Sequence, residues 1–97
     1  YAHFYRNVTE AESAGRNTLK VTFKGTAGTS VIVKPNDSGA LEQTITFDSN
    51  GDGVYEKLIP GPLTKIVFMA LPGQSGTAET PLTASFHIIE TEFKYVE

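Results

Sequence analysis

The chain reads as an all-β protein, an antiparallel β-sandwich of about seven or eight short strands, Ig-like or jelly-roll-like. Three observations lead there. Apolar and polar residues alternate over Thr18–Lys24, with Leu19, Val21 and Phe23 on one face and Lys20, Thr22 and Lys24 on the other. Clusters of Gly, Pro, Asn, Asp and Ser interrupt such segments about every ten residues. No segment carries an apolar stripe at helical spacing. With 97 residues, the chain fits a single domain, residues 1–97.

The elements follow in order. His3–Val8 is short, aromatic and β-branched, and reads as the first strand. Thr9 and Glu12 have capping-box spacing, so residues 9–17 could form a helical turn. Lacking an apolar face, the segment is expected to be a loop. Thr18–Lys24 is the clearest strand, and Gly25–Gly28 has the length of a hairpin connection to a second strand, Thr29–Lys34. Pro35–Gly39 is a turn in which proline fixes φ, Asn and Asp bond their own backbone, and Gly39 permits positive φ. Thr44–Phe47 and Val54–Ile59 are strands flanking an acidic turn, and Pro60-Gly61-Pro62 breaks the chain. Lys65–Leu71 is almost wholly apolar and is expected to be a central strand covered on both faces. Residues 72–77 read as a surface loop. Leu82–Tyr95 reads as a long strand or a pair, with Ala84, Phe86 and Ile88 on one face. Phe23, Phe47, Phe68 and Phe86 fall at core-facing positions.

Composition narrows the chemistry. The net charge is −3 and the lysines are scattered, so the sequence carries no footprint for nucleic acid or for a membrane surface. Without cysteine there is neither a disulfide nor a thiolate ligand or nucleophile. No apolar run approaches the ~20 residues that span a bilayer. The start at Tyr1, without a signal-like segment, suggests a piece excised from a larger protein.

One motif suggests chemistry. In Asp48-Ser49-Asn50-Gly51-Asp52-Gly53-Val54-Tyr55-Glu56, oxygen-bearing side chains recur at every second position around a glycine turn. Hard cations, calcium above all, are held by such oxygens. Asp48, Asn50 and Asp52 take the first, third and fifth places of a calcium loop, with Gly53 as the turn glycine. The Val54 carbonyl and Glu56 follow as further ligands. This stretch resembles the Asp-x-Asn-x-Asp-Gly loops of EF-hands, dockerins and thrombospondin-type repeats. It departs from them at Ile59, where those loops place a chelating carboxylate, and Asp37, Glu42 or Glu79 would have to supply the missing oxygen. Asn-Gly and Asp-Gly are equally signals for a tight β-hairpin needing no metal. Both readings stay open; calcium, if bound, would stiffen a turn rather than catalyse.

Nothing else assembles into a site. His87 and Glu90, three apart on a regular strand, are expected to point to opposite faces, and His3 stands alone. No nucleophile elbow, glycine-rich phosphate loop or pocketed carboxylate pair is evident, so no catalytic residue is assigned. Asn7-Val8-Thr9 and Asn36-Asp37-Ser38 fit the glycosylation pattern. Tyr1, Phe4, Tyr5, Tyr55, Phe93 and Tyr95 lie near the termini or the acidic turn, where exposed rings could stack on sugar, but without tryptophan ordinary core or rim packing is the expectation for them.

Leu19-Lys20-Val21-Thr22-Phe23, Ser30-Val31-Ile32-Val33-Lys34, Ile45-Thr46-Phe47-Asp48 with its Gly-Asp-Gly turn, Ile66-Val67-Phe68-Met69-Ala70 and Ala84-Ser85-Phe86-His87-Ile88 follow one another along the chain. This succession resembles the β-sandwich accessory domains of secreted bacterial hydrolases. Those include the pre-peptidase C-terminal type and the domains associated with immune-inhibitor-type metalloproteases. The resemblance implies a non-catalytic, secreted or cell-surface module whose partners are neighbouring domains, a polysaccharide or a protein substrate. A carbohydrate-binding module and an adhesin or surface-layer interaction domain are the alternatives.

Overall fold

A computed structural model describes residues 2–71 and 86–97. Among the described residues there are seven strands: β1 (Ala2–Asn7), β2 (Thr18–Gly25), β3 (Ser30–Pro35), β4 (Gln43–Thr46), β5 (Asp52–Leu58), β6 (Lys65–Leu71) and β7 (Phe86–Lys94). A four-stranded sheet has the order β1-β6-β3-β4 and a three-stranded sheet the order β5-β2-β7, with every pairing antiparallel. This is the all-β sandwich expected from the alternation. The bounds of β6 are those read from its apolar run. Ala84 and the 72–77 loop fall outside the described residues.

The core forms where the inward faces meet. Leu19, Val21 and Phe23 of β2, Val31 and Val33 of β3, Tyr55 of β5, and Ile66 and Phe68 of β6 are all buried. Phe23 stands edge-on to Phe47, Phe68 and Phe86, with ring centroids 5.8 to 6.4 Å apart. Such offset contacts suit the ring quadrupoles and add to the burial gain. Tyr55, grouped by sequence with the rings near the termini or the acidic turn, is fully buried, and its hydroxyl donates to the Leu41 carbonyl at 2.8 Å. β6 lies between β1 and β3, but the outward Val67 and Met69 are only half-buried. Burial on both faces is therefore not reached among the described residues.

Two strand connections differ from the hairpins expected. β2 and β3 belong to different sheets, as do β4 and β5, yet their registers are continuous. Lys24 faces Asp52 in one sheet and Ser30 faces Thr46 in the other. Residues 25–29 and 47–51 thus cross together. β2-β3 and β4-β5 form one long two-stranded ribbon bent over the core, and its closed end lies at residues 36–42. There Asn36 and Asp37, with φ of 55° and 54°, take the left-handed positions that Gly39 was expected to supply. The pair makes a primed turn matched to strand twist, and Gly39 instead opens a 3₁₀ turn, Gly39–Leu41.

Residues 9–17 also differ. A one-turn helix, α1 (Glu10–Ser13), forms on the complete Thr9–Glu12 capping box. Arg6 holds Glu12 from β1 at 2.6 Å and lies 5.3 Å over the Phe93 ring. Capping and this tie replace the missing apolar face.

Candidate functional site

The acidic motif sits at the bend of the ribbon. Gly51 N–H donates to the Asp48 carbonyl at 2.9 Å, closing a turn, while Asp48 N–H donates to the Asp52 carbonyl at 3.0 Å. The Asp48 carboxylate faces back into its own loop, where Oδ1 accepts from Asn50 N–H and Asp52 N–H, each at 2.9 Å. The N–H of Asp52, followed by that of Asn50, holds this carboxyl below its usual range.

The glycines have packing reasons of their own. Gly51, not Gly53, takes the positive φ, 80°. A Cβ there would stand 2.4 Å from the Gly25 carbonyl oxygen. At Gly53 a Cβ would meet Ile45 Cγ2 at 2.7 Å and the Phe47 ring at 3.0 Å, and at Gly25 it would meet that same ring at 2.6 Å. Phe47 therefore packs directly against two glycine backbones as the ribbon turns over it. The Gly-Asp-Gly pattern follows from this packing, whatever else the loop does.

The motif residues divide into two groups. Asp48, Asn50 and Asp52 come together at the turn, all with exposed side chains. Asp52, Val54 and Glu56 then run along β5 on its outer face. Glu56 is four residues of extended chain from Asp52, about 13 Å. It faces Lys20 and is bonded by Lys94, which reaches across from β7. Lys94 holds the Glu56 carboxyl low, and Glu56 holds the Lys94 ammonium high. Lys24 Nζ bonds Asp52 Oδ1 at 2.8 Å. Because Gly25 N–H bonds the Gly51 carbonyl, ladder alternation turns the backbone groups of 52, 54 and 56 away from β2. The Val54 carbonyl thus faces away from β2, on the side of β5 where no described strand pairs. Among the described residues no group of three or more His, Asp or Glu side chains has a metal-holding arrangement.

His87 and Glu90 do not oppose each other as a regular strand requires. β7 carries a bulge opposite Thr22 and Phe23, so His87 faces Lys24 while Glu90 faces Thr22, both on the outer face. The extra residue, Ile89, is 57% exposed. No composition cue marks it. The outer face of this sheet is consequently a lattice of Lys20, Lys24 and Lys94 among Asp52, Glu56, Glu90 and Glu92.

Two hollows are formed by the described residues. One of about 30 Å³, lined in part by Ser13, Arg16, Asn17 and Phe93, has room for about one water. An open hollow of about 300 Å³ over Lys24, Gly25, Thr26, Phe86 and His87 contains no carboxylate pair in its lining. Among the described residues Tyr5 and Tyr95 are the exposed rings, each at 66%, one on β1 and the other beyond β7. They do not make an aligned row. Comparison with protein families, curated proteins and solved structures found no significant match to this chain.

Proposed function

We propose that this chain is a non-catalytic accessory module of an extracellular bacterial protein, carried beside a secreted protease or another hydrolase. The bent ribbon is the observation that supports this reading. Asp48, Asp52 and Glu56 are engaged in closing the corner and in cross-strand ion pairs, as suits a spacer or attachment domain. Neighbouring domains of the parent protein are its first partners. A direct test fuses residues 1–97 to a secreted reporter hydrolase. The reporter should gain thermal half-life or retention on its polymeric substrate. No gain in either, or turnover of substrate by the isolated domain, overturns the assignment.

A second reading places one structural calcium at the corner. It is favoured by three exposed residues, Asp48, Asn50 and Asp52, at a single turn, with the Val54 carbonyl turned away from β2. Glu56, about 13 Å along β5 from Asp52 and paired with Lys94, lies out of reach of such an ion, and a cation must also displace Lys24 from Asp52. A ligand that binds only the folded state raises its melting temperature. Millimolar calcium against chelator should therefore raise Tm, by more in Lys24→Ala than in the parent chain. A flat response in both removes the cation from the corner.

A further inference from the structure

We propose that Asn50 is a site of spontaneous covalent modification, converting to an aspartyl or isoaspartyl residue by attack of its own backbone. The chain has four asparagines, and the structure separates them. Asn17 commits both ends of its carboxamide to Val96: Nδ2 donates to the carbonyl at 2.7 Å and Oδ1 accepts the N–H at 2.8 Å. Asn36 Nδ2 donates to the Pro62 carbonyl at 2.9 Å while Oδ1 accepts from Thr64 N–H at 2.8 Å. Asn7 is exposed, but the next residue is the branched and buried Val8, whose side chain crowds the attacking nitrogen. Asn50 alone combines an exposed carboxamide, without a protein partner among the described residues, and a following glycine.

The reaction balances with water alone. The Gly51 nitrogen, after yielding its proton to solvent base, bonds to Asn50 Cγ. The Cγ–Nδ2 bond breaks and ammonia leaves. Water then opens the five-membered imide at one of its two carbonyls, giving the normal or the isoaspartyl linkage.

The corner restrains this step. Gly51 N–H is held by the Asp48 carbonyl at 2.9 Å, and the Asp48 carboxylate clamps Asn50 N–H and Asp52 N–H. The attacking nitrogen is released only when the turn opens, so conversion reads the opening of the bend. Its product places a new carboxylate between Asp48 and Asp52. The isoaspartyl form also inserts a carbon into the main chain just before Gly51, where the two strands of the ribbon touch.

The test incubates the folded protein at mildly alkaline pH, following ammonia release and locating each conversion by fragment mass spectrometry. Position 50 should convert while Asn7, Asn17 and Asn36 stay intact. Urea-unfolded chain should convert faster at position 50, and Asp48→Ala should accelerate the folded protein several-fold. Asn50→Gln, which keeps the amide but lengthens the ring to be closed, should hold ammonia at baseline should Asp48→Ala fail to fold. Conversion of another asparagine ahead of Asn50 overturns the proposal. So does an intact Asn50 over a period in which the unfolded chain reacts, and an unchanged rate in folded Asp48→Ala overturns the restraint.

Discussion

The two strands that cross at the bend solve one geometric problem with different residues. Thr26-Ala27-Gly28-Thr29 closes its turn by Thr29 N–H to the Thr26 carbonyl at 3.1 Å, with Gly28 at φ 83°. Asp48-Ser49-Asn50-Gly51 closes by Gly51 N–H to the Asp48 carbonyl at 2.9 Å, with Gly51 at φ 80°. A side chain reinforces each: Thr29 Oγ1 donates to the Thr26 carbonyl at 2.7 Å, and the Asp48 carboxylate accepts two N–H groups. The bend therefore requires a glycine and a local polar contact, but no negative charge. The side chains of Asn50 and Asp52 go beyond what the neighbouring strand needs, and they are what a cation would have to explain.

Substitutions can separate the two turns. Gly51→Ala should be the most damaging, at about 3 kcal/mol or more in urea unfolding. It combines left-handed strain with a Cβ driven against the Gly25 carbonyl. Gly28→Ala has the same backbone strain but open space around the new methyl, and should cost only about 1–2 kcal/mol. Equal losses would mean that contact between the strands contributes nothing at the bend. Asp48→Asn should have the smallest effect, and a pH-dependent one. The folded carboxyl is held below its unfolded value, so its stabilisation is complete above the ordinary carboxylate range and fades as pH falls through the folded value. Melting curves of parent and variant should converge in acid and separate toward neutrality; a constant gap would assign the loss to something other than this charge.

What the sequence disclosed follows from what is local. Period-two burial in Thr18–Lys24 and the apolar run of Lys65–Leu71 are written in adjacent residues, and both strands form. The sheet each strand joins is not local. Gly25–Gly28 and Asp48–Gly53 have hairpin chemistry at two points of one ribbon, and the packing of Phe47 against Gly25 and Gly53, which joins those two points as one corner, is not written in adjacent residues. The oxygen-bearing residues Asp48, Asn50 and Asp52 were legible as a cluster, whereas the attachment of Glu56 to Lys94, from the far strand of the sheet, was not. The bulge at Ile89 reverses the expected facing of His87 and Glu90 without any proline or glycine to announce it. Tyr55 looks like a rim residue by sequence position, but alternation along β5 sends it inward to Leu41.

That buried phenol gives the fold an optical signature. The chain has four tyrosines and no tryptophan, so tyrosine dominates its near-ultraviolet absorbance. Burial pushes the Tyr55 phenol up to about 12. The unfolded chain releases this proton above about 10, so the stabilisation is intact below that value and declines as pH rises toward the folded value. In an alkaline titration a step in tyrosinate absorbance should coincide with the loss of β-sheet circular dichroism. Tyr55→Phe should remove that step from the spectrum. The ring at the centre of the sandwich thus doubles as a colour change that reports, without any label, when the two sheets part.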